Sequence, residues 1–486
     1  MGKILGQLSP QAVWSYFEEI CQIPRPSKKE EKILQYLKDF ARKNQLDCQQ
    51  DSTGNLVIRK AASAGMEKRK TVILQSHVDM VCEKNTDVDH DFDTDPIVPY
   101  IEEDWIKARG TTLGADDGIG MAYQLAILAD KDIVHPELEC LFTVDEETGL
   151  TGAFGLEPGF LKGRILLNLD SEDDRELCIG CAGGIDTMAT FAYDRVNNEI
   201  DHQAYRISVS GLQGGHSGDD INKGRGNANK VLTRILWNAE RMFEMRLAQI
   251  DGGNLRNAIA REAFAIVTVP RRHQKDFELK VKEFTRHMQQ ELKTNEPGLQ
   301  INLHETAKPE CLIDFVSQNR ILNALYACPH GVMGMSPDIP GLVETSTNLA
   351  SVKMTSKEIL VSTSQRSSVA SLKRDVADMV SSVFQLAGAR VKHGDGYPGW
   401  EPNVKSEILY VMRTRYKELF GEEPHVLAVH AGLECGLIGE KYPGMDMISF
   451  GPNIRAAHSP DERLHIPSVE KIWKLTLEVL KDIPER

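Results

Sequence analysis

The chain has 486 residues, 41% of them hydrophobic and 26% charged, with a formal net charge of -14. That length exceeds what one hydrophobic core usually supports, so two domains are expected, and the acidic balance argues against nucleic acid or an anionic membrane surface as a partner. No apolar run approaches the ~18 residues that span a bilayer, MGKILGQLSP lacks both a signal-peptide core and the Ser/Thr of a myristoylation site, and the nine scattered cysteines suit a reducing compartment, so a cytoplasmic location is expected.

Ser9 and Pro10 suit the N-cap and first turn of a helix running to residue 23, and the spacing of Ser27 and Glu30 is a capping box that opens a second helix to about residue 44. Residues 48–60 read as two short strands around the turn formed by Asp51, Ser52, Thr53, Gly54 and Asn55. Three short apolar runs follow at 71–76, 139–144 and 164–169, separated by helical stretches such as 119–130. This alternation predicts an α/β fold, a catalytic domain with a mixed, mostly parallel sheet covered by helices. Beyond the ends of the runs stand His77 and Asp79 in HVDM, Glu146 and Glu147 in DEETG, and Asp170 in NLDSED, with Asp116 and Asp117 in GADDGIG between the first two. In open α/β sheets, sites form just beyond the carboxyl ends of the strands.

From about residue 186 the texture changes to alternating strands at 204–209, 263–269 and 358–363, with amphipathic helices near 227–247 and 275–293. An inserted α+β domain over 186–395 is expected, leaving 1–185 and 396–486 as the two parts of the catalytic domain. The second part opens after the turn GDGYPG, carries elements at 406–419, 426–430, 447–450 and 468–482, and brings His458 in AAHSPDER. Cys178 and Cys181 form a CxxC, which without a second pair is read as structural.

Two divalent cations are neutralised by three carboxylates and a hydroxide, with neutral imidazoles completing the ligand set. His77, Asp116, Glu147, Asp170 and His458 supply such a set. Cations ~3.5–4 Å apart lower the pKa of a shared water and polarise a carbonyl. Because strand side chains alternate, His77 and Asp79 face the same way, and Asp79 is expected to accept the second ring N–H of His77. Of Glu146 and Glu147, one would ligate and the other act as general base. HxD, DD before Gly, and EE are each commonplace alone. Together beside apolar runs, these carboxylates need compensating charge.

HVDM, GADDGIG, DEETG, NLDSED and AAHSPDER, in that order and spacing, resemble over the whole chain the di-zinc metallopeptidase family that includes aminoacylases, glutamate carboxypeptidases and the bacterial tripeptidase. GLQGGHSGDDI, GGNLRNAIA, GYPGWEPN and HAGLECG resemble more narrowly its bacterial branch acting on Xaa-His dipeptides such as carnosine. The resemblance implies two Zn2+ per chain, with Co2+ or Mn2+ as substitutes. His77 and Asp170 would hold one ion, Glu147 and His458 the other, and Asp116 would bridge them. Glu146 would be the general base, Asp79 the orienting carboxylate, and the bond between Asp116 and Asp117 cis. The inserted domain would be a lid in which His216 donates to the tetrahedral oxyanion, while Asn257 and Arg366 grip the substrate's free carboxylate. Small dipeptides are the implied substrates, and a homodimer the implied assembly. The span 186–395 is long for the family's single βαββαβ dimerisation domain, which leaves open whether His216 serves its own chain's metals or a partner's. Two alternatives stay open: removal of the acyl group from an N-acyl amino acid at the same site, and a metal-binding scaffold without turnover, against which the presence of a base at Glu146 speaks.

Overall fold

The computed structural model describes residues 4–198 and 201–486, so part of the amino-terminal stretch read for processing signals lies outside the described residues. The chain divides into two compact units, one made of Met1–Cys181, Trp400–Ala428 and Leu433–Arg486, the other of Ala182–Gly399 and Val429–Gly432. The short return at Val429–Gly432 has no counterpart among the sequence expectations. Among the described residues no helix is long and apolar enough to cross a membrane.

The first unit is built on an eight-stranded sheet in the order Asp47–Gln50, Leu56–Lys60, Leu138–Thr143, Val72–His77, Ile165–Asn168, Asp446–Ser449, Glu176–Cys181 and His425–Val429. Its four central strands run parallel, and antiparallel pairs continue the sheet on both sides. Val72–His77 and Leu138–Thr143 are buried along their whole lengths, as continuous apolar runs must be when both faces of a parallel sheet are covered. The helix Ala115–Ala129 is apolar on nearly every side, buries almost all its residues, and packs against Val72–His77.

The opening helices form at Gln11–Cys21 and Glu31–Lys43, but their starts differ from expectation. Pro10 takes the cap position without a side-chain bond, and Ser9 instead accepts from Trp14 Nε1 at 3.1 Å through its carbonyl. No capping box forms at Ser27 and Glu30. The Ser27 hydroxyl donates to Asp79 Oδ2 at 2.7 Å, and Glu30 Oε1 accepts from the amides of Lys28 at 2.7 Å and Asp145 at 3.1 Å. Buried site carboxylates and loop amides compete for the groups that a solvated helix end would use.

In the second unit, Gln300–Glu305, His202–Ser210, Ala263–Pro270, Arg246–Gly252, Val343–Met354, Glu358–Ser367, Gly183–Ala192 and Arg390–His393 follow one another in a single sheet, and Gly331–Met335 pairs beside Val343–Met354. Burial alternates along His202–Ser210, the mark of a sheet with one covered face. The helices Ala228–Phe243, Gln274–Leu292, Phe315–Ala327 and Ala370–Leu386 contribute to its core, and Asn227 caps the first by accepting from the amides of Asn229 and Lys230.

Candidate metal centre

Parallel register brings the predicted residues to one edge of the first unit. His77 closes its strand opposite Thr143, and Gln75 stands opposite Asn168 in the next strand. Asp79, the pair Glu146 and Glu147, and Asp170 therefore follow the ends of three adjacent strands. Asp116 and Asp117 sit at the start of Ala115–Ala129 with non-helical dihedrals, φ -80° and ψ 112° at Asp116, and the peptide bond between them is cis. Gly120 makes room for Asp117: its amide donates to Asp117 Oδ1 at 3.0 Å, and a Cβ there would lie 2.3 Å from the same oxygen. His458 is placed by the later loop, with φ +64°, a strained value for a non-glycine residue.

The two oxygens of Asp116 face different histidines. Oδ1 lies 2.9 Å from His77 Nε2, and Oδ2 lies 3.1 Å from His458 Nε2. Each histidine has a second carboxylate: Asp170 Oδ1 is 3.4 Å from His77 Nε2, and Glu147 Oε2 is 3.1 Å from His458 Nε2. Asp79 Oδ1 stands 3.3 Å from the other ring nitrogen of His77, and the Asp79 carboxylate also accepts the amides of Glu146 at 3.0 Å and Glu147 at 3.2 Å. Donor atoms of His77, Asp116 and Asp170 lie within 4.8 Å of one another, as do those of Asp116, Glu147 and His458, and those of His77, Glu146 and Glu147.

Electrostatics test whether cations belong here. Burial works to raise the Asp116 carboxyl, but hydrogen bonds from His458 and His77 outweigh it and hold it well below the usual range. The Asp170 carboxyl is pushed up to about 8 by burial, with His77 opposing and Asp116 reinforcing the rise. Hydrogen bonds to Asp116 and Glu147 lift His458 to about 11. Glu146 is raised by burial against the opposing charge of His77, with Asp170, Glu434 and Glu147 adding to the rise. Glu147 Oε1 and Asp117 Oδ2 are buried without a hydrogen-bond partner. So many buried carboxylates need compensating positive charge, and a donor set of oxygens and imidazole nitrogens fits divalent cations. Cys178 and Cys181 are buried and not disulfide-bonded, and among the described residues they belong to no metal-ligating group.

His216, Asn257 and Arg366 all fall in the second unit. His216 lies in a two-residue strand paired with Ala258, next to Asn257, whose carbonyl accepts from the Ser217 amide at 2.8 Å. Arg366, on Glu358–Ser367, reaches His216 Nε2 at 3.5 Å through Nη2 and donates to the Tyr397 hydroxyl at 2.9 Å through Nη1, while its buried Nε has no hydrogen-bond partner. Asn257 is exposed.

The model of the peptidase family M20/M25/M40 matches residues 73–482. The chain belongs to this family. It is 44% identical over 482 residues to the cytosol non-specific dipeptidase of Escherichia coli (strain K12), covering 99% of each chain. The aminoacylhistidine dipeptidase of Vibrio alginolyticus superimposes with a TM-score of 0.95 at 45% identity, over 100% of this chain and 99% of that one. A tripeptidase from Staphylococcus aureus shares the fold alone, at 16% identity and a TM-score of 0.57, over 98% of this chain and 99% of that one.

Several ionisable groups of this M20 peptidase escape the sequence reading. Glu434, in HAGLECG, is buried and accepts through Oε2 from Gln75 Nε2 at 2.7 Å and Thr143 Oγ1 at 2.8 Å, while Gln75 Oε1 accepts from Asn168 Nδ2 at 2.5 Å. Glu434 thereby joins the ends of three strands. Glu172, two residues past Asp170, is pushed up to about 7 by burial first and then by Asp116. In the second unit His430 bonds through Nε2 to Ser346 Oγ at 2.7 Å, and burial reinforced by Arg366 pushes it down to about 4. For Glu434 and His430 the available signal was an acid or histidine inside an otherwise apolar stretch, whereas Glu172 stands among other acids and carried none.

Proposed function

We propose that the protein is a metal-dependent dipeptidase that hydrolyses the peptide bond of unblocked dipeptides, Xaa-His dipeptides including β-alanyl-histidine among them. The observation that carries this reading is Asp116, whose two oxygens serve two histidines, each accompanied by its own further carboxylate. His77 and Asp170 would hold one ion and Glu147 and His458 the second, with Asp116 available to both. Zinc suits this mixture of nitrogen and oxygen donors, with Co2+ or Mn2+ as substitutes. When bound, two such ions lower the pKa of a water and polarise the scissile carbonyl.

Asp79 fixes the His77 ring through the nitrogen that faces away from the cluster and anchors the amides of the Glu146 and Glu147 turn. Glu146 removes the water's proton and returns it to the leaving amine, a task suited to a carboxylate whose proton affinity burial has raised. In the second unit, the Arg366 fork and Asn257 hold the substrate's carboxylate, and His216 donates to the oxyanion. The convergence of His216, Arg366 and Tyr397 supports that role. The names of the E. coli and V. alginolyticus relatives support dipeptide substrates, and the first supports a cytosolic location. We assign no nucleic-acid or membrane partner and propose a homodimer. A panel of β-alanyl-His, other Xaa-His and Xaa-Leu dipeptides, a tripeptide and an N-acetyl amino acid, run with metal-reconstituted protein, tests the reading. Cleavage of the free dipeptides is expected. Preference for the N-acetyl amino acid would overturn it in favour of an amidohydrolase.

A further inference from the structure

The loop that delivers Asp116 is held from two sides by buried charges. Glu462 is 2% exposed, and its carboxylate accepts four backbone amides: Oε2 those of Leu113 at 2.7 Å and Gly114 at 2.9 Å, Oε1 those of Ala115 at 2.8 Å and Asp116 at 3.3 Å. Arg25 is 3% exposed and donates to main-chain oxygens, from Nη1 to Val78 at 3.0 Å and Asp79 at 2.6 Å, and from Nη2 to Gly114 at 2.5 Å. Charged groups that meet backbone dipoles away from water make strong, directional bonds. Two glycines of GADDG admit the guanidinium, since a Cβ at Gly114 would lie 2.5 Å from Nη2 and one at Gly118 would lie 2.8 Å from it. Arg25 therefore ties the loop to the backbone that directly follows His77, and Glu462 ties it to the segment just beyond His458.

We infer that Arg25 and Glu462 are positioning residues that set where the Asp116 carboxylate stands between its two histidines, an inference that rests on the proposed two-metal reading. Because Asp116 is common to both ligand sets, displacing it weakens both ions together. Loss of a ligand private to one set weakens one ion.

Gly118→Ala and Glu462→Gln reach this clamp from opposite sides. The first places a methyl against the flexible end of Arg25 while alanine favours the helix. The second leaves one carbonyl oxygen where two carboxylate oxygens served four amides. Metal-free wild type and variants, checked for retained fold by circular dichroism, are titrated with Zn2+ against a competing chelator, with Asp170→Asn as the single-set comparison. Both variants should bind both ions about 10–100-fold more weakly, the range typical of groups that orient ligands. Two ions bound with wild-type affinity, or weakening confined to one ion, overturns the inference. If wild type itself does not take up two ions, the two-metal reading fails first. Should one variant not fold, the other decides the question.

Discussion

Glu146 and Glu147 adjoin in sequence and lie in the same cluster, and the proposed reading gives them different work. Glu147 Oε2 is 3.1 Å from His458 Nε2, and burial raises the Glu146 carboxyl. Glu146→Gln should therefore retain two metals while kcat falls by about 10²–10⁴, the span of general acid–base catalysis. Glu147→Ala should lose metal, and a metal assay beside the kinetics exposes any reversal of the roles. Glu434 offers a test that needs no substrate. Burial first, moderated by His77 and its hydrogen bonds, pushes its carboxyl up to about 7 from the ordinary 4.5. Between those values the folded protein holds a proton that the unfolded chain has released, so this group's contribution to stability is present at low pH and lost as pH rises through about 7. Urea unfolding of the metal-free protein should show a decline to which Asp170 and Glu172, also raised, contribute alongside Glu434, and Glu434→Gln should reduce its slope by Glu434's share, a few kcal/mol at most. An unchanged slope in the variant would remove Glu434 from the groups that produce the decline. At this scale HVDM and DEETG were legible because acids beside apolar runs are conspicuous. Arg25 and Glu462 were not, because their partners are main-chain atoms, which leave no side-chain pattern to read.

The turn that carries the glutamate pair is fastened from the hairpin at the sheet's edge. Asn55 is fully buried, donates from Nδ2 to Asp51 Oδ2 at 2.7 Å and to the Gly152 carbonyl at 2.8 Å, and accepts the Val144 amide at 3.2 Å. Asn55→Ala leaves these groups without partners, and should cost about 1–3 kcal/mol of stability and raise KM or lower kcat through the loosened turn. Thermal melting with steady-state kinetics checks both, and intact stability would remove Asn55 from this role. The elements themselves were visible through periodicity: the three apolar runs became neighbouring parallel strands, and the helix expected over 119–130 spans Ala115–Ala129. The helix starts were misjudged where side chains had tertiary partners, as Ser27 does in Asp79. Val343–Met354 passed unread because its polar residues, Thr345, Ser346, Thr347 and Asn348 among them, are buried by hydrogen bonding across the sheet and beyond it rather than by hydrophobicity.

At the scale of the whole molecule, the residues proposed for catalysis are divided between two units, and the proposed homodimer poses the question of whose residues serve whom. Inactive Glu146→Ala and His216→Ala chains, mixed and allowed to exchange, should regain activity if a dimer uses His216 across subunits. Continued silence after verified exchange would assign His216 to its own chain. The sheet order carries a different consequence, one for biosynthesis. Asp446–Ser449 pairs with Ile165–Asn168 on one side and Glu176–Cys181 on the other, yet it is translated only after the entire second unit. Until it emerges from the ribosome, both flanking strands present bare hydrogen-bonding edges, a template for mispairing with other chains. The nascent chain therefore carries these open edges while the whole second unit is made, and the strand that closes the gap arrives together with the segment bearing His458, so the sheet is sealed and the proposed ligand set completed in the same late event.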